Sequence, residues 1–141
     1  MEEIAMAAIA ECHCLVIREV ARQAGGSEPS EEILVEAMDG RGLAHGLVAL
    51  DPAAGVVAFL IWEMLGDNGY VNNLCVSPAF QNKRIGRRLL DRATAEMRDL
   101  GCSTTSLNVS GSKAALHLYT SMGYRPLPYN AGCLAKSLGQ V

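Results

Sequence analysis

Along the first part of the chain, Met6, Ile9, Ala10, His13, Val16, Ile17, Val20 and Ala24 recur three and four residues apart, and the run stops at Gly25-Gly26. That spacing lines them up on one face of a helix, and a glycine pair is a natural place for it to end. Ser30 followed by Glu31 and Glu32 combines a capping hydroxyl with carboxylates in a first turn, so a second helix is predicted to end near Gly40. The period then changes. Residues 43–50 and 56–65 are rich in Val, Leu, Ile and aromatics, and Asp51-Pro52-Ala53-Ala54-Gly55 between them has turn chemistry. A second turn, Gly66-Asp67-Asn68-Gly69, leads into residues 70–76, which predicts a three-strand antiparallel meander.

After Ser77-Pro78 the pattern is helical again, with Leu89, Ala93, Met97 and Leu100 on one face and Gly101 where the cap belongs. Residues 103–109 read as a strand, so 70–109 form a strand-helix-strand unit that implies two parallel strands with a right-handed crossover. Ala115, Leu118, Tyr119 and Met122 predict a short helix ended by Gly123, and residues 125–138 read as one or two last strands. The expected class is mixed α/β, a central sheet with antiparallel meander and flanking helices. At 141 residues the chain is read as a single domain over 1–141.

Composition narrows the function more than the fold. The net charge of -3 disfavours nucleic acid, whose binders carry a broad basic face, so any anionic partner is expected to be small. The acidic start and the short apolar runs give no signal peptide or membrane span, and a cytoplasmic protein is expected. Five scattered cysteines argue against a disulfide framework and are read as buried thiols in a reducing compartment. Cys12-His13-Cys14 looks like a metal motif, yet consecutive side chains on a helix diverge by about 100° and cannot converge on one ion. Core packing is expected there, and no metal site.

Against that acidic background, Lys83, Arg84, Arg87 and Arg88 put four positive charges into six residues. They sit where a strand gives way to a helix, and a helix start offers unpaired N–H groups at the positive end of the dipole. Gly86 lets a ligand approach the backbone. The chain has no G-x-x-x-x-G-K-[ST], and Gly40-x-Gly42-x-x-x-Gly46 misses the dinucleotide fingerprint, so a phosphate loop of another class is implied.

The stretch Leu74-Cys75-Val76-Ser77-Pro78-Ala79-Phe80-Gln81-Asn82-Lys83-Arg84-Ile85-Gly86 resembles the signature of the GNAT N-acetyltransferase superfamily, a strand of L-x-V-x-P type leading to [QR]-x-x-G-x-[GA]. Arg84 stands at the first glycine. Ser112 to Gly123-Tyr124 resembles the family's second signature, N-x-x-A-x-x-L-Y-x-x-x-G-[FY], with Ser112 in place of Asn. The resemblance implies acetyl-CoA as cosubstrate, held by the backbone of Leu74, Cys75 and Val76 along the pantetheine arm. Gln81, Asn82, Lys83, Arg84, Ile85, Gly86 and Arg87 would surround the pyrophosphate, with Ser112 nearby. An arginine fits at position 84 if its backbone stays helical.

Tyr119 is, by the same resemblance, the acid that protonates the CoA sulfur. The acceptor would be a primary amine on a small molecule or peptide, and acetyl transfer would be direct. Asn72 and Asn73 occupy positions that are acidic in the diamine acetyltransferases the meander also resembles, and neither can act as a base. Glu63, Tyr70 and His45 remain as candidates, Glu63 because it alternates in phase with Val57, Phe59 and Ile61. A CoA-binding module without turnover stays open as a second reading, motivated by Arg84, Ser112, Asn72 and Asn73. The family's usual first strand is expected to be missing, and its late strands would permit a homodimer.

Overall fold

The computed structural model describes residues 4–40, 42–109 and 113–139. In chain order the strands are β1 (Ala5–Ala8), β2 (Ala44–Asp51), β3 (Gly55–Leu65), β4 (Asn68–Val76), β5 (Thr104–Asn108), β6 (Arg125–Leu127) and β7 (Asn130–Ser137). The helices are α1 (Cys14–Gln23), α2 (Glu31–Asp39), α3 (Ile85–Asp99) and α4 (Lys113–Ser121). Among the described residues the strands make one sheet in the order β1-β2-β3-β4-β5-β7-β6. Only β4 and β5 pair in parallel, which is the crossover that the strand-helix-strand pattern predicts.

Alternation along the strands divides the core. Leu60 and Trp62 of β3 face α3 and α4 with Leu89, Leu90, Met97 and Tyr124. Phe59 and Ile61 face α1 and α2 with Ile17, Val20 and Leu34. Fully buried leucines such as Leu89 and Leu90 each stabilise the fold by about 1.5–3 kcal/mol before entropy is counted. The helix ends follow their chemistry: Ser30 Oγ accepts the Ile33 N–H at 3.2 Å, and Gly40 closes α2 in the left-handed region at φ 71°. Among the described residues no helix is long and apolar enough to cross a membrane.

Five expectations are corrected. The helix predicted from Met6 begins later, because Ala5–Ala8 pairs antiparallel with β2, Ala7 opposite Val48. A four-residue strand is decided by its neighbour, and the strand expected to be missing ahead of the first helix is present as β1. Cys12 is exposed, and His13 serves the backbone, its Nδ1 accepting the Ala10 N–H at 2.9 Å ahead of α1. The thiols are thus not uniformly buried; Cys75 and Cys102 are, while Cys14 and Cys133 are partly covered. Leu100 lies just past the end of α3 and is 51% exposed, leaving Leu89, Ala93 and Met97 on the inward face.

Candidate active site

The site starts from a fault in the β3–β4 ladder. Ile61 pairs with Asn73 and Trp62 with Val71, so Asn72 is an extra residue, a β-bulge. A bulge bends its strand, tightens the twist and re-aims side chains. The parallel β4–β5 ladder runs from Asn68↔Thr104 to Val71↔Leu107 and stops at that residue. From Asn72 to Val76 the β5-facing backbone of β4 has no strand partner among the described residues, and apart from the Val76 carbonyl, which Gln81 takes, its polar groups are open to a ligand.

The bulge also resets which way the side chains point. Val71 before it, and Leu74 and Val76 after it, pack into the α3 and α4 core. Tyr70, Asn72 and Asn73 therefore share the opposite face, where with residues 27–30 and Ile33 they line an open groove of about 310 Å³. The three β4 side chains there are each tied to a neighbour. Asn72 Nδ2 donates to Glu63 Oε1 at 2.8 Å, Asn73 Nδ2 to the Ser27 carbonyl at 3.1 Å, and Asn108 Nδ2 to the Tyr70 hydroxyl at 2.8 Å. Asn72 Oδ1 is buried with no partner. Glu28, also in the lining, is paired with Arg22 at 3.1 Å.

At the far end of β4 a single 3₁₀ turn (Pro78–Phe80) leads into the basic loop. Gln81 Nε2 donates to the Val76 carbonyl at 3.1 Å, tying loop to strand. Asn82 (φ 63°) and Arg84 (φ 65°, ψ 17°) are left-handed. Arg84 does not meet the condition of a helical backbone: it takes the conformation a glycine would adopt without strain, and turns the chain into α3. The first helical bond runs from the Arg88 N–H to the Arg84 carbonyl, so the amides of Ile85, Gly86 and Arg87 have no acceptor within the helix. Loops that reverse handedness in this way aim successive N–H groups at an anion.

The four cations differ in their ties. Arg87 reaches Ser121 Oγ at 3.3 Å and Arg88 the Ile4 carbonyl at 2.8 Å, while Lys83 lies over the Phe80 ring. The Arg84 side chain makes no hydrogen bond or ion pair among the described residues. A Cβ on Gly86 would lie 3.5 Å from Leu118 and 3.7 Å from Val76, so α3, α4 and the end of β4 meet there in ordinary contact.

Tyr119, on α4, is 7% exposed, its ring edge-on to Tyr124 with centroids 5.9 Å apart. Burial pushes its hydroxyl up to about 12, with Tyr124 and Cys75 adding to the shift, so it holds its proton at neutral pH. Cys75 is buried in the α1 and α2 core beneath Gly26, and burial lifts its thiol to about 11. It is the buried thiol that the sequence predicts, on the α1 and α2 side of the sheet. His45 stacks on Trp62 at 4.4 Å on the α3 side of the sheet, away from the groove. Ser112 lies outside the described residues. Among the described residues no three metal-ligating side chains converge.

Sequence reasoning missed the Tyr70–Asn108 pair and the convergence of Tyr70, Asn72 and Asn73. Strict alternation would send Asn72 and Asn73 to opposite faces, and nothing local in the sequence marks the bulge.

Taken together, an opened parallel strand pair, an amide-rich basic turn and a buried protonated tyrosine make a site suited to a long anionic ligand. The chain belongs to the acetyltransferase (GNAT) domain family, whose model matches residues 42–126. It is 35% identical over 92 residues to mycothiol acetyltransferase of Propionibacterium freudenreichii, covering 61% of this chain and 29% of that protein. It is 36% identical over 70 residues to the ribosomal protein bS18-alanine N-acetyltransferase of Salmonella typhimurium, 49% of this chain and 47% of that one. The chain thus spans less than half the length of these relatives. The PaiA N-acetyltransferase of Thermoplasma acidophilum in complex with coenzyme A superposes with a TM-score of 0.82 at 17% identity, over 96% of this chain and 99% of that one.

Acetyl-CoA is the cosubstrate of this family, and the donor set here fits it. The orphan amides and the unpaired Arg84 suit a pyrophosphate, and the open edge of β4 suits an amide-bearing arm.

Proposed function

We propose that this protein transfers acetyl from acetyl-CoA directly to a primary amine, and that the amine is the amino terminus of a peptide. The observation that carries the transfer is the opening of β4 from β5 at Asn72, with the basic turn at one end and Tyr119 beside it. Leu74, Cys75 and Val76 supply the backbone that fixes the arm and polarises the carbonyl. Residues 81–87 supply amides and charge to the phosphates.

Tyr119, protonated at neutral pH, gives its proton to the departing sulfur. Glu63 is the carboxylate we assign to take up the amine's proton through solvent; it stands one side chain behind the groove, at the Asn72 amide. A peptide acceptor is supported by the groove's neutral polar lining, where Glu28 is already paired, and by the likeness to an enzyme named for an alanine amine. A polyamine would call for unpaired carboxylates.

Thiol release from acetyl-CoA across an acceptor panel tests this: peptide amino termini, lysine side chains, polyamines and aminoglycosides. Turnover is expected with the peptides. Tyr119→Phe should lower kcat by about 10²-fold or more while calorimetric CoA binding persists. Binding of CoA without turnover on any amine would favour a binding module, and no binding would end both readings.

A further inference from the structure

Resting on that reading, we infer that Lys136 is a positioning residue for the acid: from β7 it grips both the turn that ends α4 and the ring beside Tyr119, and so fixes where the Tyr119 hydroxyl meets the departing sulfur. Among the described residues that hydroxyl makes no hydrogen bond. Its place is therefore set by what holds the Tyr119 backbone and ring. The Tyr119 carbonyl accepts the N–H groups of Met122 at 3.1 Å and Tyr124 at 3.0 Å, and the Tyr124 ring stands edge-on to that of Tyr119 with centroids 5.9 Å apart.

Lys136 reaches both supports. It pairs with Thr105 across the β5–β7 ladder, and Thr105 is buried with its Oγ1 3.3 Å from the Tyr124 hydroxyl, so the pairing puts Lys136 on the face that holds Tyr124. Its Nζ donates to the Met122 carbonyl at 2.9 Å and lies 5.1 Å from the centroid of the Tyr124 ring. A cation is favoured on both counts, at the negative end of a helix and over an aromatic face. Burial, then Arg98, pull its ammonium below the usual lysine range, and a half-covered charge is costly unless its contacts are good. Arg125 supplies the contrast. It reaches the same helix end, with bonds of 3.2 Å to the Thr120 carbonyl and 2.9 Å to the Tyr124 carbonyl, but it is exposed and these bonds hold backbone alone.

Three variants separate positioning from plain capping. Lys136→Met keeps the stem and removes the charge, Lys136→Arg keeps a cationic donor, and Arg125→Met loosens the helix end only. With an alanine-starting peptide amide as acceptor, Lys136→Met should lower kcat about tenfold with KM for acetyl-CoA within about twofold. Lys136→Arg should keep kcat within about threefold of wild type, and Arg125→Met should leave it unchanged. In a Tyr119→Phe background, Lys136→Met should cost nothing further, since the two act on one step. Equal losses in Lys136→Met and Arg125→Met, a loss undiminished without the Tyr119 hydroxyl, or no loss in either would overturn the inference and leave acetyl transfer standing. The ring resonances of Tyr119, read without substrate, should move in Lys136→Met and return in Lys136→Arg; resonances that stay in place would overturn the positioning by themselves. No turnover by the wild-type protein on any amine would instead overturn the proposed activity, while the resonances still decide whether Lys136 places Tyr119.

Discussion

Replacing Arg84 separates backbone strain from charge in the basic turn. A side-chain-bearing residue at φ 65° and ψ 17° costs about 1–2 kcal/mol relative to ordinary backbone. Glycine at the same place avoids that cost but gives up about 0.5–1 kcal/mol in chain entropy. Arg84→Gly should therefore be more stable than Arg84→Ala by roughly 0.7 kcal/mol, the middle of that difference. At about 2.1 cal/mol/K per residue, unfolding 141 residues carries an entropy of about 0.3 kcal/mol/K, so the Tm of the glycine variant should be about 2–3 °C higher than that of the alanine variant. Both variants lose the same charge beside Lys83, Arg87 and Arg88, so relief of repulsion cancels between them. Both should raise KM for acetyl-CoA by about two- to fivefold, an effect that shrinks with added salt. Thermal melts of the three proteins give the answer. Equal Tm for glycine and alanine would refute the strain argument and assign any gain over arginine to charge.

Two other outcomes follow from burial. Tyr119 and Tyr124 both have hydroxyls raised by burial from 10 to about 12, so the native state keeps two protons that the unfolded chain releases in that window. Stability should be intact below pH 10 and fall as pH rises towards 12, and Tyr124→Phe should flatten the slope in urea melts taken across that range; an unaltered slope would contradict the assignment. Gly69 on β4 lies beneath Met97, and a Cβ there would run into the Met97 sulfur and stand 2.8 Å from its Cγ. Gly69→Ala should cost about 1–3 kcal/mol by overpacking, at the lower end if the methionine re-packs, and a melt unchanged from wild type would show that α3 is held less tightly than its burial implies.

Much of the frame was legible because its signals are local. Ser30 caps α2, Gly40 and Gly101 end helices with positive φ, and the change from helical to alternating period marks β2 to β4. Tyr119 was legible too, since its helical phase sends the ring inward. The failures came where a neighbour decides the outcome. Ala5–Ala8 carries a helical spacing yet pairs with β2, a choice made by an edge of sheet far along the chain. Arg84 is left-handed although the residue type argues against it, because the loop between Gln81, tied to the Val76 carbonyl, and the start of α3 leaves it no other turn.

The bulge at Asn72 is the sharpest case, since one inserted residue stands where both halves of the site meet. The break in the β3 register comes where the β4–β5 ladder ends, and beyond it the β5-facing edge of β4, which we assign to the cosubstrate, has no strand partner among the described residues. By shifting the alternation the bulge places Asn72 and Asn73 on the face of Tyr70, which gives the groove its polar lining. Had the strand kept its period, Asn73 would point into the α3 core and Leu74 into the groove. Deletion of Asn72 would restore regular pairing yet leave Asn73 facing the groove and Leu74 the α3 core, so its expected effect falls on the open edge of β4 and on the Asn72–Glu63 pair rather than on the rest of the groove's lining.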